Sequence, residues 1–163
     1  MEWKHLKAVL DEYGEYIAQQ MKANLESDGS NASGELSNSI TYVYEREGET
    51  LSVCISLLDY WKYLNYGTKP HFPPVNAIEK WIEVKRIVPQ VRALPDGKTY
   101  LPTVRQLAFL IARSISEKGT EGTQFFDKAV ESLRDRLMEA IDVAVAQDLE
   151  EEIDAVLASI YVK

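Results

Sequence analysis

The apolar residues at both ends of the chain recur every three or four positions, which is the period of an amphipathic helix. Residues 2–26 carry this pattern and predict a first helix. From Phe126 to Ile160 the same period runs for about ten turns. It predicts a last helix that is long for a chain of 163 residues. Residues 148–154 of that helix are strongly acidic, and we expect this last third to project beyond the core toward a neighbour.

Two short segments in the first half of the chain alternate apolar and polar residues, the period of a half-buried strand. They cover residues 39–45 and 51–57 and are joined by a polar turn that contains Gly48. Short glycine-containing turns of this kind connect antiparallel strands, so the pattern predicts a β-hairpin. We expect Cys54 to be a buried residue of the second strand.

Two shorter helices are predicted between the hairpin and the last helix. Residues 76–85 form the first of them, after a run of prolines. Thr103 can cap the second, and Gly119 is expected to end it in a left-handed conformation. The sequence thus predicts an α+β fold in one domain, residues 1–163, with a small antiparallel sheet packed against the long terminal helices and the two shorter ones.

The connections between these elements are rich in glycine, proline and polar residues. Residues 27–34 form a predicted loop, and residues 87–102 a proline-rich arm whose tip lies at Pro95-Asp96-Gly97. A third connector is stiff, because Pro70, Pro73 and Pro74 each fix φ near −65°.

Four aromatic residues precede the stiff connector within residues 60–66 and predict the end of a strand. Two environments suit this cluster equally well. The aromatic side chains could form a core under the sheet, or they could form an exposed subunit contact, since Trp and Tyr are favoured at interfaces.

The charge of the chain argues against binding to nucleic acid. It has 18 basic and 26 acidic residues and a formal charge of −8. Proteins that hold DNA do so by neutralising phosphates with Lys and Arg. An acidic chain can still line a passage through which DNA slides without sticking, although a solubilising surface charge is the simpler interpretation.

The sequence predicts no catalytic site, no metal site and no cofactor. Cys54 is the single cysteine and only His5 and His71 accompany it, so no Cys/His zinc site of known spacing is present. The segment from Gly119 to Gly122 lacks the lysine of a phosphate-binding loop. We expect His5 to be a polar surface residue. His71 lacks nearby sequence partners, yet it leaves one alternative open, a small hydrolase centred on this residue.

Neither a membrane span nor a secretory signal is predicted, because apolar runs are short and Glu2, Trp3 and Lys4 follow the initial Met. We therefore expect a protein that is cytosolic when made.

Three motifs carry a resemblance to a known family. In chain order they are Gly34-x-Leu36-x-x-Ser39-Ile40, Tyr66-Gly67-Thr68-x-Pro70-His71 with Trp81 ten residues on, and Ile111-Ala112-x-x-Ile115-x-x-x-Gly119-Thr120 followed by Phe125-Phe126. Their order and spacing resemble the tailed-phage neck or tail-completion family, the gene-ten-like head-to-tail joining proteins of lambdoid phages. The resemblance spans roughly residues 30 to 130, whereas residues 87–102 are longer than the usual connection.

This resemblance implies a structural virion protein that forms a homo-oligomeric ring at the head–tail junction, completes the tail and leaves an axial passage for DNA. The implied partners are other copies, head-closure proteins and tail tube proteins, with no specific DNA binding and no membrane. A tail assembly chaperone is a further alternative. The residues expected to shape the subunit or its contacts are Gly34, Leu36, Ser39, Tyr66, Gly67, Thr68, Pro70, His71, Pro73, Trp81, Gly119, Thr120, Phe125 and Phe126.

Overall fold

The structure, a computed structural model, describes residues 2–48, 50–93 and 97–161. In this part of the chain helices dominate and the strands form three separate antiparallel pairs, β1–β2, β3–β6 and β4–β5. The predicted α+β class is confirmed. The elements are α1 (Lys4–Ser27), α2 (Glu35–Ser39), β1 (Thr41–Glu47), β2 (Thr50–Ser56), α3 (Trp61–Tyr66), β3 (Gly67–Thr68), α4 (Val75–Val84), β4 (Arg92–Ala93), β5 (Thr99–Tyr100), α5 (Val104–Lys118), β6 (Thr120–Glu121) and α6 (Phe125–Tyr161).

The chain divides into two compact units. The first unit contains residues 1–27, 36–58 and 125–163, and the second contains residues 28–35 and 59–124. The first therefore includes both long helices and the β1–β2 hairpin, while the second includes α3, α4, α5 and the two short strand pairs. One joining domain over residues 1–163 stays a prediction.

In the first unit α1 and α6 pack antiparallel. The side-chain amide of Asn24, near the end of α1, donates a hydrogen bond to the carbonyl oxygen of Phe125 at 2.9 Å. At the other end of α1 the backbone N–H of His5 donates to Asp148 at 3.0 Å. The buried apolar side chains on these two helices are Ala18, Met21, Leu25, Phe125, Ala129 and Ala144.

The β1–β2 hairpin packs on α1 at Gly14. A Cβ atom at this buried position would lie 2.7 Å from Cδ2 of Tyr42 and 2.9 Å from Cγ1 of Val53. Glycine in a helix interior costs about 1 kcal/mol relative to alanine. Here its lack of a side chain is what lets the hairpin rest on the helix.

In the second unit α4 packs on α5, with Ile82, Ala108 and Ala112 buried. The stiff connector ends at Pro74, the N-cap residue of α4, whose carbonyl accepts the Ala77 N–H at 3.0 Å. As predicted, Thr103 caps α5: its hydroxyl accepts the Gln106 N–H, and the Gln106 side chain accepts the Thr103 N–H.

Three predictions of local structure are wrong. The aromatic segment is not a strand end, because residues 61–66 form helix α3. Alternation of apolar and polar residues is absent there, and aromatic β propensity alone did not decide the structure. Strand β1 begins at Thr41 instead of residue 39, since the short helix α2 continues to Ser39. Cys54 is exposed, because the opposite face of β2 is the one that rests on α1.

The ends of the helices differ in detail from expectation. Gly119 does follow α5, but with φ 74° and ψ −158° it is outside the left-handed helical region. The predicted arm contains the β4–β5 pair, while its expected tip at Pro95-Asp96 falls outside the described residues.

Candidate functional site

Two Gly-Thr pairs that are far apart in the sequence meet in the second unit. Strand β3 is Gly67-Thr68, and it pairs antiparallel with β6 so that Thr68 lies opposite Thr120. The Thr120 hydroxyl accepts the Thr68 N–H at 3.0 Å, and the two threonine hydroxyls are 2.9 Å apart. We call Gly67, Thr68, Gly119 and Thr120 the Gly-Thr clasp.

Both glycines of the clasp are required by close backbone approach. A Cβ atom on Gly67 would lie 2.1 Å from the carbonyl oxygen of Thr120, and one on Gly119 would lie 2.0 Å from that of Thr68. Both residues also have positive φ, 76° and 74°, a region that other residues rarely adopt. The clasp is therefore reciprocal, since the glycine of each pair makes room for the threonine of the other.

Backbone contacts extend the clasp toward α3. The N–H of Thr123 donates to the carbonyl oxygen of Leu64 at 2.9 Å, and the N–H of Gln124 donates to that of Asn65 at 3.0 Å. The Thr123 hydroxyl also donates to Leu64. Gly122 passes so close to Asn65 that a Cβ atom would lie 2.3 Å from its carbonyl oxygen. The segment after α5 is thus fixed along the whole end of α3.

His71 lies at the surface beside the clasp. Its Nδ1 atom is 2.9 Å from the carbonyl oxygen of Lys69, within the same loop. The neighbouring hollow is lined by Tyr63, Gly67, Thr68, Lys69, Pro70 and His71. None of these lining residues carries a carboxylate, so within the described part of the chain this hollow places no acidic partner beside His71.

The aromatic segment before the clasp is largely exposed. Tyr63 and Tyr66 are 66% and 63% exposed, and Tyr60 is 42% exposed. Of the two environments left open by the sequence, the exposed surface is the one that the structure shows. Phe72, 53% exposed, adds to it and lies with its ring centre 6.0 Å from that of Phe109. A region of this kind, aromatic and exposed, is suited to contact with another protein.

The other residues of the three motifs stabilise local structure or lie at the surface. Leu36 is buried, and the Ser39 hydroxyl donates to the Leu36 carbonyl and accepts the Leu58 N–H. Gly34 has a φ of 79° just before α2. Phe125 is fully buried at the start of α6. The remaining positions are Pro73, which is buried, Phe126, which is partly buried, and Pro70 and Trp81, which are exposed.

A contact that the sequence did not indicate lies in the first unit, where Asp148 of α6 caps the start of α1. The buried Asp148 carboxylate accepts the backbone N–H groups of His5 and Leu6, each at 3.0 Å. Burial by itself raises the pKa of this carboxyl, but the hydrogen bonds from His5 and Leu6 outweigh it and hold the pKa below its ordinary value. The first N–H groups of a helix lack intrahelical partners. A carboxylate at this end also interacts favourably with the positive end of the helix dipole.

Glu151, one turn further along α6, contacts the same end of α1. Its carboxylate lies 3.0 Å from Nε2 of His5 and 3.5 Å from Nζ of Lys4. The hydrogen bond from His5 and the charge of Lys4 lower the pKa of Glu151. His5 is therefore more than the polar surface residue that the sequence predicted.

Cys54 is an exposed thiol beside an acidic side chain. Its Sγ atom donates to the Glu45 carboxylate at 3.3 Å. This hydrogen bond is the main cause of a raised pKa of the Cys54 thiol, with burial and the charge of Glu45 adding to it. Because the thiolate is the nucleophile, a raised pKa lowers reactivity.

Residues 2–48, 50–93 and 97–161 contain no group of three or more His, Cys, Asp or Glu side chains placed to hold a metal ion. None of the helices in this part of the chain is both long and apolar enough to cross a bilayer.

Comparison with known families gives one match. Residues 4–67 match the family model described as "HK97-gp10_like: Bacteriophage HK97-gp10, putative tail-component". The matched segment runs from the start of α1 to the first glycine of the clasp, so it contains the first motif and ends inside the second. No curated protein and no solved structure matches the chain.

Proposed function

Because residues 4–67 match the HK97-gp10-like family model, described as a putative tail component, we propose that this chain is a structural protein of the virion neck. Copies assemble into a ring at the head–tail junction, complete the tail and leave an axial passage for DNA. The partners are head-closure proteins on one side and tail tube proteins on the other. The family match is the observation that carries this proposal.

The proposed role requires no catalysis. A tail component acts by shape and by contact, and the surface around the Gly-Thr clasp has the matching character. The clasp forms a rigid turn, and the exposed aromatic rings of Tyr63 and Tyr66 lie beside this turn. Rigid, exposed aromatic side chains give large contact area at a low cost in conformational entropy. This surface is therefore suited to a neighbouring protein in the particle.

The distribution of charge supports a passage through which DNA moves without binding. The first unit has 8 basic and 18 acidic residues, a formal charge of −10, and the second has 10 basic and 8 acidic residues, a charge of +2. Close to an acidic wall DNA is repelled, whereas a basic wall binds phosphates through counterion release. We propose that the first unit, or a neutral surface, faces the axis.

The experiment is a phage whose gene for this protein carries an early stop codon. In electron micrographs of the lysate we expect filled heads and separate tails that fail to join, and complementation with the wild-type gene restores whole particles. Normal joined particles without the protein would overturn the proposal. A phage that carries His71→Ala is the matched control. This substitution should leave the fold intact, so a structural role predicts joined particles.

A further inference from the structure

The last turns of α6 extend beyond the start of α1, the helix against which the earlier part of α6 packs. Asp148 and Glu151 meet the first residues of α1, so the residues after Glu151 have no more of α1 beside them. At 1.5 Å per residue the segment 152–161 continues for roughly 15 Å. All of its side chains from Glu152 to Ile160 are exposed.

One side of this extension is apolar. Four of its side chains, together with Leu149 just before it, are between 43% and 63% exposed, and their spacing of three and four places them on one face of the helix. That face lies roughly 150° around the helix from the side that contacts α1. We call it the α6 stripe. Its residues are Leu149, Ile153, Val156, Leu157 and Ile160.

Charge decides what can cover the α6 stripe. Glu150 and Glu152 flank it on either side, and no Lys or Arg occurs between Arg136 and Lys163. Two stripes laid against each other would place carboxylates side by side, which is unfavourable. The stripe therefore fits an apolar surface that carries positive charge.

The second unit presents such a surface. A groove next to α5 has apolar walls and one cation, Arg105, which forms no ion pair with any residue that the structure describes. Phe109 in this groove is 51% exposed. We call this groove the α5 groove. Its lining residues are Val75, Tyr100, Arg105, Gln106, Phe109 and Leu110.

We propose that the α6 stripe of one copy docks in the α5 groove of the next copy. This inference rests on the proposed ring and names the contact that builds it. An acidic, apolar helix end on the unit of charge −10 meets an apolar, basic groove on the unit of charge +2. The two surfaces differ, so the contact is head-to-tail, and a head-to-tail contact that closes on itself generates a ring.

Sedimentation velocity of the full chain and its variants tests the contact. Ile153→Asp places a charge in the stripe, and Phe109→Asp places one in the groove. Both residues are more than half exposed, and circular dichroism verifies that each variant folds. Ala158→Asp, on the opposite face of the same helix, adds the same charge outside the stripe and is the matched control. Arg105→Glu is a second groove variant that leaves the apolar walls unchanged.

We expect wild-type protein and Ala158→Asp to associate, and each stripe or groove variant to lose association. An equal mixture of Ile153→Asp and Phe109→Asp should form a dimer and no larger species, because only one intact stripe and one intact groove can meet. Variants that associate like the wild type, or a mixture that stays monomeric, would overturn the inference. A monomeric wild type would also overturn it, while the proposed neck function, tested by electron microscopy of the lysate, would survive that result.

Discussion

Thr68 and Thr120 are joined through a single hydroxyl group: Oγ1 of Thr120 lies 3.0 Å from the Thr68 backbone nitrogen and 2.9 Å from the Thr68 hydroxyl. The two residues are 52 positions apart in the sequence. Their contact ties the end of α3 to the segment that follows α5, so the exposed aromatic surface stands on a fixed turn.

The glycines of the clasp should tolerate no side chain. We expect Gly67→Ala to lower the free energy of unfolding by about 2–4 kcal/mol, because strain at positive φ adds to a clash with the Thr120 carbonyl. Gly29→Ala is the matched control. Gly29 has a φ of 63° but no atom within 4 Å of a Cβ, so only the conformational cost of about 1 kcal/mol remains. Urea unfolding measures the loss of stability in both variants. Equal losses would contradict the close backbone approach at Gly67.

Substitution of the two threonines of the clasp should lower the free energy of unfolding by unequal amounts. Thr120→Val removes the acceptor of the Thr68 N–H as well as the hydroxyl contact, whereas Thr68→Val removes the hydroxyl contact alone. We expect a loss of about 1 kcal/mol for the first and clearly less for the second. A double-mutant cycle should give a non-zero coupling energy between them. Additive losses would show that the hydroxyls act separately.

Asp148 predicts a dependence of stability on pH. Its lowered pKa means that the unfolded chain binds a proton more readily than the folded chain, so its contribution is full above the ordinary carboxyl range near 4 and is lost as the pH falls through the lowered pKa. Asp148→Asn should therefore lower Tm at neutral pH, and the difference from wild type should shrink in acid.

The control for this prediction is Asp154→Asn, which changes an exposed carboxylate six positions along the same helix. We expect almost no change in Tm at any pH, because Asp154 has no hydrogen bond to a residue of the described ranges. A constant Tm difference between wild type and Asp148→Asn from neutral to acid pH would show that the carboxylate charge is not what stabilises the start of α1.

His71 should be dispensable for folding. Its ring is exposed and, among the residues that the structure describes, has one hydrogen-bond contact, to the Lys69 carbonyl. Exposed substitutions of this kind change stability by about 0.5 kcal/mol or less, so His71→Ala should unfold at nearly the wild-type urea concentration. A turnover reaction that this substitution abolishes would instead favour the hydrolase alternative.

Periodicity sufficed for the elements that bury one continuous face. Helices α1 and α6 and the β1–β2 hairpin follow their apolar patterns to within a few residues. Helix α3 was missed because six residues, three of them aromatic, are too few to set a period. The long-range contacts could not be read from local patterns either. The carboxylate of Asp148 differs from its acidic neighbours only in what the fold places against it, the free N–H groups of α1.

The glycines divide in the same way. Gly67 and Gly119 stand out in sequence because each precedes a threonine in a motif, and their backbone role was foreseeable. Their pairing was not, since nothing local brings residues 67 and 119 together. Gly14 gave no signal at all. It lies within a regular helical pattern, and only the hairpin that packs on it explains the missing side chain.

The most direct test of the neck function is a cryo-electron microscopy reconstruction of the phage particle at side-chain resolution in the neck. The proposal predicts a ring of this chain between the head and the tail tube, with the α6 extension of each copy against its neighbour and few unpaired Lys or Arg side chains facing the axis. Density for the protein elsewhere in the particle, or its absence from the particle, would contradict the account. A continuous basic stripe along the channel would contradict the proposed free passage of DNA.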